Sequence, residues 1–138
     1  MTGHLVLATL HTNDSAAAVT RMLDMGIEPF LLSSSLLGVV AQRLVRKLCP
    51  HCKRQDGQYW HEVGCDHCGN TGYQGRVGIY ELLLTTEEIR AQIHDRASEA
   101  DIRATAQRNG MRTMREDGAR WLADGTTTQA ELLRVTKD

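Results

Sequence analysis

The four cysteines of this chain form two Cys-x-x-Cys pairs, Cys49/Cys52 and Cys65/Cys68, with residues 53–64 between them. Two such turns can present four thiolates to one tetrahedral ion, and this spacing is typical of structural zinc sites. Gly69 follows the last cysteine and supplies the permissive backbone that such a turn needs. Because protein thiolates would fill all four ligand positions, none is left for water or a substrate. The sequence therefore predicts a structural Zn²⁺ site.

A redox pair and buried free cysteines remain as alternatives, since a single Cys-x-x-Cys pair is compatible with redox chemistry. Two pairs in tandem favour the metal, as does a reducing compartment, where disulfides are rare. His51 and His67 lie inside the two pairs, where either could replace a cysteine as a ligand. We interpret them as exposed residues that do not bind the metal.

The length and charge of the chain limit the class of protein. Its 138 residues suffice for one ordinary domain or two small ones. The net charge of −1 and the aromatic content of 4% argue against a nucleic-acid partner, because such proteins are usually basic. No apolar run reaches the roughly 20 residues that cross a bilayer, and the first residues lack the basic start of a signal peptide. We therefore expect a cytoplasmic protein with no direct membrane span.

The first part of the chain has the pattern of an α/β unit. The apolar run from His4 to His11 predicts a strand buried on both faces of a parallel sheet. Asn13, Asp14 or Ser15 can cap a helix over about 16–25, which Gly26 would end. Pro29 suits the first turn of a second, longer helix. Apolar residues at helical spacing predict that this helix continues to Leu48: Leu37, Val40, Ala41, Leu44, Val45 and Leu48.

The rest of the chain divides into a glycine-rich loop, a strand and short helices. Residues 49–78 hold all four cysteines and show little periodicity, which indicates a loop organised by the metal. Residues 76–84 have the pattern of a strand. Beyond them, four Ser or Thr residues are each followed three positions later by an acid, as at capped helix starts. These pairs are Thr85/Glu88, Ser98/Asp101, Thr113/Glu116 and Thr128/Glu131.

Two groups of polar residues are candidates for a functional role. His11 lies at the carboxyl end of the predicted first strand, where α/β sheets bind ligands, so it could contact a phosphate or only hold the turn. His4, at the other end of that strand, has a structural role in our interpretation. Arg43, Arg46 and Lys47 form a basic stripe. A solvated face explains the stripe more simply than contact with a phosphate or a neighbouring subunit.

The motifs of nucleotide hydrolysis do not occur in this sequence. It contains no Gly-x-x-x-x-Gly-Lys-Ser/Thr phosphate loop and no predicted strand that ends in paired acids to hold Mg²⁺. We therefore expect no hydrolysis of ATP by this chain alone.

Five segments carry the motifs of one family in their usual order. They are Thr2-Gly-His-Leu-Val-Leu-Ala-Thr-Leu-His-Thr-Asn13, Met25-Gly-Ile-Glu-Pro-Phe30, Ala41-Gln-Arg-Leu-Val-Arg46, Leu48-Cys-Pro50 and Gly72-Tyr-Gln-Gly-Arg-Val-Gly-Ile-Tyr-Glu81. Over essentially its whole length the chain resembles the secretion ATPases, first the type II secretion system ATPase (general secretory pathway protein E) and next the type IV pilus assembly ATPases. The resemblance implies a hexameric RecA-like motor whose ATP hydrolysis, with Mg²⁺, drives pseudopilus or pilus assembly.

The resemblance also implies a place for each part of the chain. The fold is then α/β, the C-terminal part of a RecA-like P-loop ATPase core with a four-cysteine zinc insertion and a small helical C-terminal domain. Residues 1–48 belong to the ATPase core, 49–75 to the zinc-binding element, 76–84 to a returning strand and 85–138 to the helical C-terminal subdomain. The implied partners are the other ATPase subunits and inner-membrane platform proteins, with the motor cytoplasmic and peripheral to the bacterial inner membrane.

Individual residues match the family's motifs. Its histidine box corresponds to residues 4–11, so the resemblance implies that His11 is the catalytic residue near the γ-phosphate. His4, Arg43 and Arg46 take nucleotide-sensing or interface roles. The family's metal ligands match the same four cysteines: Cys49, Cys52, Cys65 and Cys68.

Two alternatives to a type II secretion ATPase segment stay open. One is a segment of a type IV pilus assembly ATPase. The other is a stand-alone zinc module that binds proteins or nucleic acid, but it leaves the His11 turn and the predicted buried strand unexplained.

Overall fold

The computed structural model describes residues 3–136 as an α/β fold. Two helices come first, α1 (Ser15–Asp24) and α2 (Pro29–Ser35), followed by a long strand, β1 (Gly38–Leu48). The short strands β2 (Arg54–Asp56) and β3 (Tyr59–His61) and a 3₁₀ turn (Asp66–Cys68) precede the second long strand, β4 (Tyr73–Leu84). The remaining helices are α3 (Glu87–His94), α4 (Glu99–Arg108), α5 (Met114–Ala123) and α6 (Gln129–Val135). None of the helices in this part of the chain is long and apolar enough to cross a bilayer.

The two long strands pair antiparallel and form the centre of the structure. Their register runs from Gly38 opposite Leu84 to Arg46 opposite Arg76 and shifts before Leu48 meets Tyr73. The strands β2 and β3 form a separate hairpin between them. As a result, the segment that contains the cysteines closes one end of the ribbon formed by β1 and β4.

Two hydrophobic cores lie on the inner face of this ribbon. The first joins α1, α2, α3 and α4 to β4, and its buried residues are Ala16, Val19, Leu32, Leu83, Ile89, Ile93, Ile102 and Ala106. The second joins α5 and α6 to both strands through Val45, Ile79, Met114 and Leu132. Strand β4 serves both cores because alternate side chains of a strand face the same side, which places Ile79 and Leu83 inward.

The predicted helix starts are mostly confirmed. Side chains of Asp14, Ser98, Thr113 and Thr128 accept hydrogen bonds from the first turns of α1, α4, α5 and α6. The reciprocal capping box forms at Thr113 and Glu116. For α3 the predicted cap at Thr85 is wrong by one residue, because Thr86 accepts from the Ile89 N–H.

The predicted strand over residues 4–11 is wrong. The described chain before α1 has no regular structure, and Leu5, Val6 and Leu7 expose 74%, 78% and 88% of their surface. A strand needs a neighbour for its backbone N–H and C=O groups. Within residues 3–136 the β1–β4 ribbon does not pair with this segment.

The long second helix predicted to reach Leu48 is also wrong. Helix α2 begins at Pro29 as expected but ends at Ser35, and residues 38–48 form β1. Pairing with β4, far away in the sequence, overrides the helical spacing of the apolar residues. Gly38 fits this pairing closely, since a Cβ there would lie 2.8 Å from the Leu83 carbonyl oxygen.

A buried carboxylate joins α6 to β1. Glu131 is 2% exposed, and its carboxylate accepts hydrogen bonds from the Arg46 N–H at 3.0 Å and from Arg46 Nη2 at 2.9 Å. Arg134 Nη2 donates to the same group at 2.6 Å. Burial by itself would raise the pKa of Glu131, but the hydrogen bonds from Arg134 and Arg46 outweigh it and lower the pKa to about 2.

Replacing this carboxylate should destabilise the chain in a pH-dependent way. We expect Glu131→Gln to lower the free energy of unfolding at pH 7 by about 2 kcal/mol, because hydrogen bonds to a charged acceptor are lost. Since the pKa of Glu131 is lowered from 4.5 to about 2, its contribution is complete above pH 4.5 and disappears as the pH falls towards 2. Denaturant unfolding between pH 7 and 2 measures both effects.

Glu87→Gln is the matched control for this substitution. Glu87 pairs with Arg90 on α3, but its side chain is 94% exposed, so its loss should leave stability unchanged. Equal effects of the two substitutions on the free energy of unfolding would contradict the role given to Glu131. So would a Glu131→Gln chain that loses stability between pH 7 and 2 as steeply as the original chain.

Candidate metal centre

The four cysteine sulfurs converge at one end of the β1–β4 ribbon. The Sγ atoms of Cys49 and Cys65 lie 3.8 Å apart, those of Cys52 and Cys68 3.9 Å, and those of Cys65 and Cys68 3.8 Å. All four lie within 4.8 Å of one another, and among the described residues they form the group with the geometry to hold a metal ion. Cys49 is fully buried, whereas the other three are partly exposed.

These distances match a tetrahedral thiolate site. Zinc–sulfur bonds of about 2.3 Å place the sulfurs of such a site roughly 3.8 Å from one another. A disulfide would instead need two sulfurs about 2.05 Å apart, and all four cysteines are free. The observed spacing therefore suits a metal ion held by four thiolates.

Backbone N–H groups face the sulfurs and favour negative charge on them. The N–H of Gly64 donates to Cys52 Sγ at 3.3 Å, and those of Cys65 and Gly72 donate to Cys68 Sγ at 3.3 and 3.2 Å. Burial opposes ionisation of Cys68, but these two donors, together with the Cys65 and Cys52 thiols, outweigh it and lower the pKa of Cys68 to about 6. Burial raises the pKa of Cys65 to about 11. A metal ion binds the thiolate form, so its binding would displace the thiol protons.

The local chain folds so that the two pairs meet. After Cys49, the N–H groups of Cys52 and Lys53 bond back to the Cys49 carbonyl, which forms the first turn. After Cys65, the 3₁₀ turn ends at Gly69, whose φ of +61° is the left-handed conformation expected for this glycine. The Cys49 N–H also donates to the Gly72 carbonyl at 2.9 Å, so the two ends of the loop are hydrogen-bonded to each other.

The two histidines of the cysteine pairs lie outside the sulfur cluster. The rings of His51 and His67 stack with centroids 4.0 Å apart, and both residues are exposed. Neither joins the group of possible ligands. Their exposure agrees with the interpretation that they do not bind the metal.

The candidate nucleotide residues have different surroundings in the structure. His4 and His11 are both exposed in the irregular segment before α1. Arg43 is half-buried on β1, and its Nη2 donates to the carbonyl of Asn13, two residues after His11, at 3.4 Å. Arg43 therefore lies beside the turn that follows His11, whereas Arg46 is bonded to Glu131.

A polar cavity of 570 Å³ opens beside the same turn. Asn13, Asp14, Arg43 and Arg103 contribute to its wall. The Arg103 guanidinium already bonds to Asp14 Oδ2 at 2.6 Å and to Glu99 Oε1 at 2.5 Å. Its charge is therefore balanced within the chain.

Residues outside the cysteine pairs attach the centre to the fold, and sequence reasoning missed them. Lys53 Nζ lies 4.6 Å from the centroid of the Trp60 ring and donates to the Gly125 carbonyl. Arg46 stacks over Tyr73 at 4.2 Å and bonds to Glu131. Trp60 and Tyr73, each five residues from the second cysteine pair, were the available signal, but their contacts at Gly125 and Thr128 are far away in the sequence.

Comparison with known proteins gives consistent matches over the whole chain. A family described as Type II/IV secretion system protein matches residues 1–134. The type II secretion system protein HxcR of Pseudomonas aeruginosa is 59% identical over 138 residues, which cover 100% of this chain and 29% of that protein. Type II secretion system protein E of Aeromonas hydrophila is 46% identical over 100% of this chain and 31% of its own length. The type IV pilus assembly ATPase PilB of Thermus thermophilus is 44% identical over 99% of this chain and 17% of its own length.

Solved structures resemble the fold as well. The pilus retraction motor PilT, crystallised with ADP, has a TM-score of 0.68 and 25% identity over 99% of this chain and 34% of that one. The ATPase DotB of Yersinia pseudotuberculosis, with a TM-score of 0.58 and 17% identity, shares the fold. This chain thus spans less than a third of the two type II secretion relatives. The match across residues 1–134 shows that the chain belongs to the Type II/IV secretion system protein family.

Proposed function

We propose that this chain is the zinc-binding segment of a motor in which ATP hydrolysis drives type II protein secretion through pseudopilus assembly. The observation that carries the proposal is the 59% identity of the whole chain to a type II secretion system protein. The lower identity of 44% to a type IV pilus assembly ATPase favours secretion over the pilus alternative. A stand-alone zinc module is a weaker hypothesis, because the family match also covers the residues before and after the cysteines.

The metal in this proposal is zinc, held by Cys49, Cys52, Cys65 and Cys68. Four thiolates at tetrahedral spacing leave no open ligand position, so the ion supplies a structural cross-link instead of an activated water. The protein's own contribution is to aim backbone N–H groups at the sulfurs and to close the loop between β1 and β4.

The proposed organisation places this segment in a hexamer. Residues 1–48 and 76–84 would belong to a RecA-like core, residues 49–75 to the zinc-binding element and residues 85–138 to a helical C-terminal domain. Other ATPase subunits and platform proteins of the inner membrane are the proposed partners, with the motor at the cytoplasmic face. ATP and Mg²⁺ would bind where longer members of the family carry the phosphate loop, which this sequence does not contain.

His11 is the proposed catalytic residue of the complete motor. Its ring is exposed and the turn after it is held by Arg43, which suits a side chain that reaches the γ-phosphate of a nucleotide. His4 and Arg43 would act in nucleotide sensing or at a subunit interface. The same role was expected for Arg46, but its three hydrogen bonds to Glu131 favour a structural role in this chain.

The metal content of the purified chain tests the zinc proposal. We expect about one zinc per chain, with thiols that react slowly until a chelator removes the ion. Cys68→Ser should lower zinc retention strongly, because three protein sulfurs remain. Metal analysis and thiol titration under reducing conditions measure both quantities.

His67→Ala is the matched control, since His67 lies inside the second cysteine pair but outside the sulfur cluster. It should keep its zinc. Less than about half an equivalent of zinc in the original chain, with four freely reactive thiols, would contradict the proposal, as would loss of zinc on replacing His67.

The role of His11 is tested in the complete motor that contains this segment. We expect His11→Ala to lower kcat for ATP hydrolysis at least about tenfold with little change in nucleotide affinity, because a γ-phosphate contact strengthens as charge moves in the transition state. His94→Ala, at an exposed histidine of α3, should leave both unchanged. Equal loss of hydrolysis and binding, or no loss of either, would show that His11 only holds the turn.

A further inference from the structure

Residues 125–128, in the loop between α5 and α6, contact both chain segments that border the cysteine cluster. We call these residues the α5–α6 loop. The N–H of Leu48, next to Cys49, donates to the Thr126 carbonyl at 2.7 Å. The Thr127 hydroxyl donates to the Arg46 carbonyl at 2.7 Å, and Thr127 is 1% exposed. The loop therefore bonds to the backbone of β1 at Arg46 and Leu48, residues that also pair with β4.

Two side chains from the segment between the cysteine pairs reach the same loop. Lys53 directly follows Cys52, and its Nζ donates to the Gly125 carbonyl at 2.8 Å. The Trp60 ring lies against Gly125 so closely that a Cβ at this position would be 2.6 Å from Trp60 Nε1. Gly125 also has a φ of +76°, so glycine satisfies both the turn and this contact.

The chain that leaves the second cysteine pair contacts the start of α6. Gly72 donates its N–H to Cys68 Sγ, and the next residue is Tyr73. The Tyr73 hydroxyl lies 2.9 Å from the hydroxyl of Thr128, the residue that caps α6. A continuous set of contacts thus leads from a metal-binding sulfur to the helix cap.

We propose that metal binding at the four cysteines orders the α5–α6 loop and the start of α6, and that Lys53, Trp60 and Tyr73 transmit this order. The proposal rests on the metal site proposed above. The ion closes the segment between the cysteine pairs and removes conformational freedom from residues 53–64. The bond from the Gly72 N–H to Cys68 Sγ restrains the chain that leads to Tyr73. Each of the three side chains is then held where it meets the loop, so the contacts no longer carry the full entropic cost of ordering both partners.

The competing explanation is that α6 is held by the second core alone. Leu132 is 3% exposed in that core, and Glu131 bonds to Arg46, so α6 has contacts that do not involve the cysteines. In that case removal of the metal would loosen residues 49–73 and leave α6 unchanged. The two explanations differ in the hydrogen exchange of α6.

Amide hydrogen exchange of the full chain, with zinc bound and after chelation, tests the proposal. We expect the α6 amides to exchange at least about tenfold faster without the metal. Amides of α3 and α4 are the internal reference, because these helices pack in the first core and should change little. Unchanged exchange of α6 on chelation would overturn the proposal, and so would equal acceleration in all helices, which would indicate global unfolding.

A second measurement tests the transmitting residues while the metal stays bound. The double substitution Lys53→Met with Tyr73→Phe removes the two polar contacts and keeps all four cysteines. We expect one zinc per chain and α6 exchange roughly tenfold faster than in the original chain. Lys47→Met with Tyr59→Phe is the matched control, since both residues are exposed neighbours of the centre without a hydrogen bond to the loop.

The outcomes separate this proposal from the metal site itself. A chain that takes up no zinc overturns both. A chain that binds zinc, with α6 exchange that responds neither to chelation nor to the double substitution, overturns only the transmission. If the control pair of substitutions accelerates α6 exchange equally, the acceleration results from a general loss of surface contacts. That result would overturn the role of Lys53 and Tyr73.

Discussion

The antiparallel pairing of β1 with β4 is the constraint on which the other parts of this structure depend. The pairing joins residues separated by the whole cysteine-containing segment, and its register runs from Gly38 and Leu84 at one end to Leu48 and Tyr73 at the other. It brings the two cysteine pairs to one end of the ribbon. It also turns alternate side chains of β4 towards both hydrophobic cores. A metal bound at the cysteines would close the loop between these strands and so favour their pairing.

The second core depends on polar contacts as much as on apolar ones. Four buried apolar residues form its centre, with partly buried ones packed around them, and α6 has seven residues, which is too short to be stable alone. Glu131 compensates by bonding to Arg46 on β1, so the carboxylate is buried with its charge satisfied. The contacts of the α5–α6 loop with Lys53 and Tyr73 extend this attachment to the cysteine segment. Helix α6 therefore depends on its contacts with β1 and with the cysteine segment.

Family membership and geometry bear on different parts of the function. The match over residues 1–134 places the chain in the Type II/IV secretion system protein family. The geometry of the four sulfurs suits a metal ion, whereas the role proposed for His11 rests on the family's motifs and on an exposed position before α1. The guanidinium of Arg103 is bonded to Asp14 and Glu99, and that of Arg46 is bonded to Glu131. Both positive charges are therefore already paired with carboxylates of this chain. Arg43 and Arg115 also line the cavity beside the His11 turn, and Arg43 donates to the Asn13 carbonyl there.

The sequence by itself determined the features that depend on neighbouring residues. The spacing of the cysteine pairs predicted the converging sulfurs, and Ser98, Thr113 and Thr128 predicted helix starts, because a cap bonds within its own first turn. Only the tertiary structure decided that residues 38–48 form a strand, since their apolar spacing fits a helix and the pairing with β4 overrides it. It also decided that the Glu131 carboxylate accepts hydrogen bonds from Arg46 instead of completing a capping box. In the same way, it left residues 4–11 exposed although their pattern is apolar. Such outcomes depend on partners distant in the chain, which local patterns do not encode.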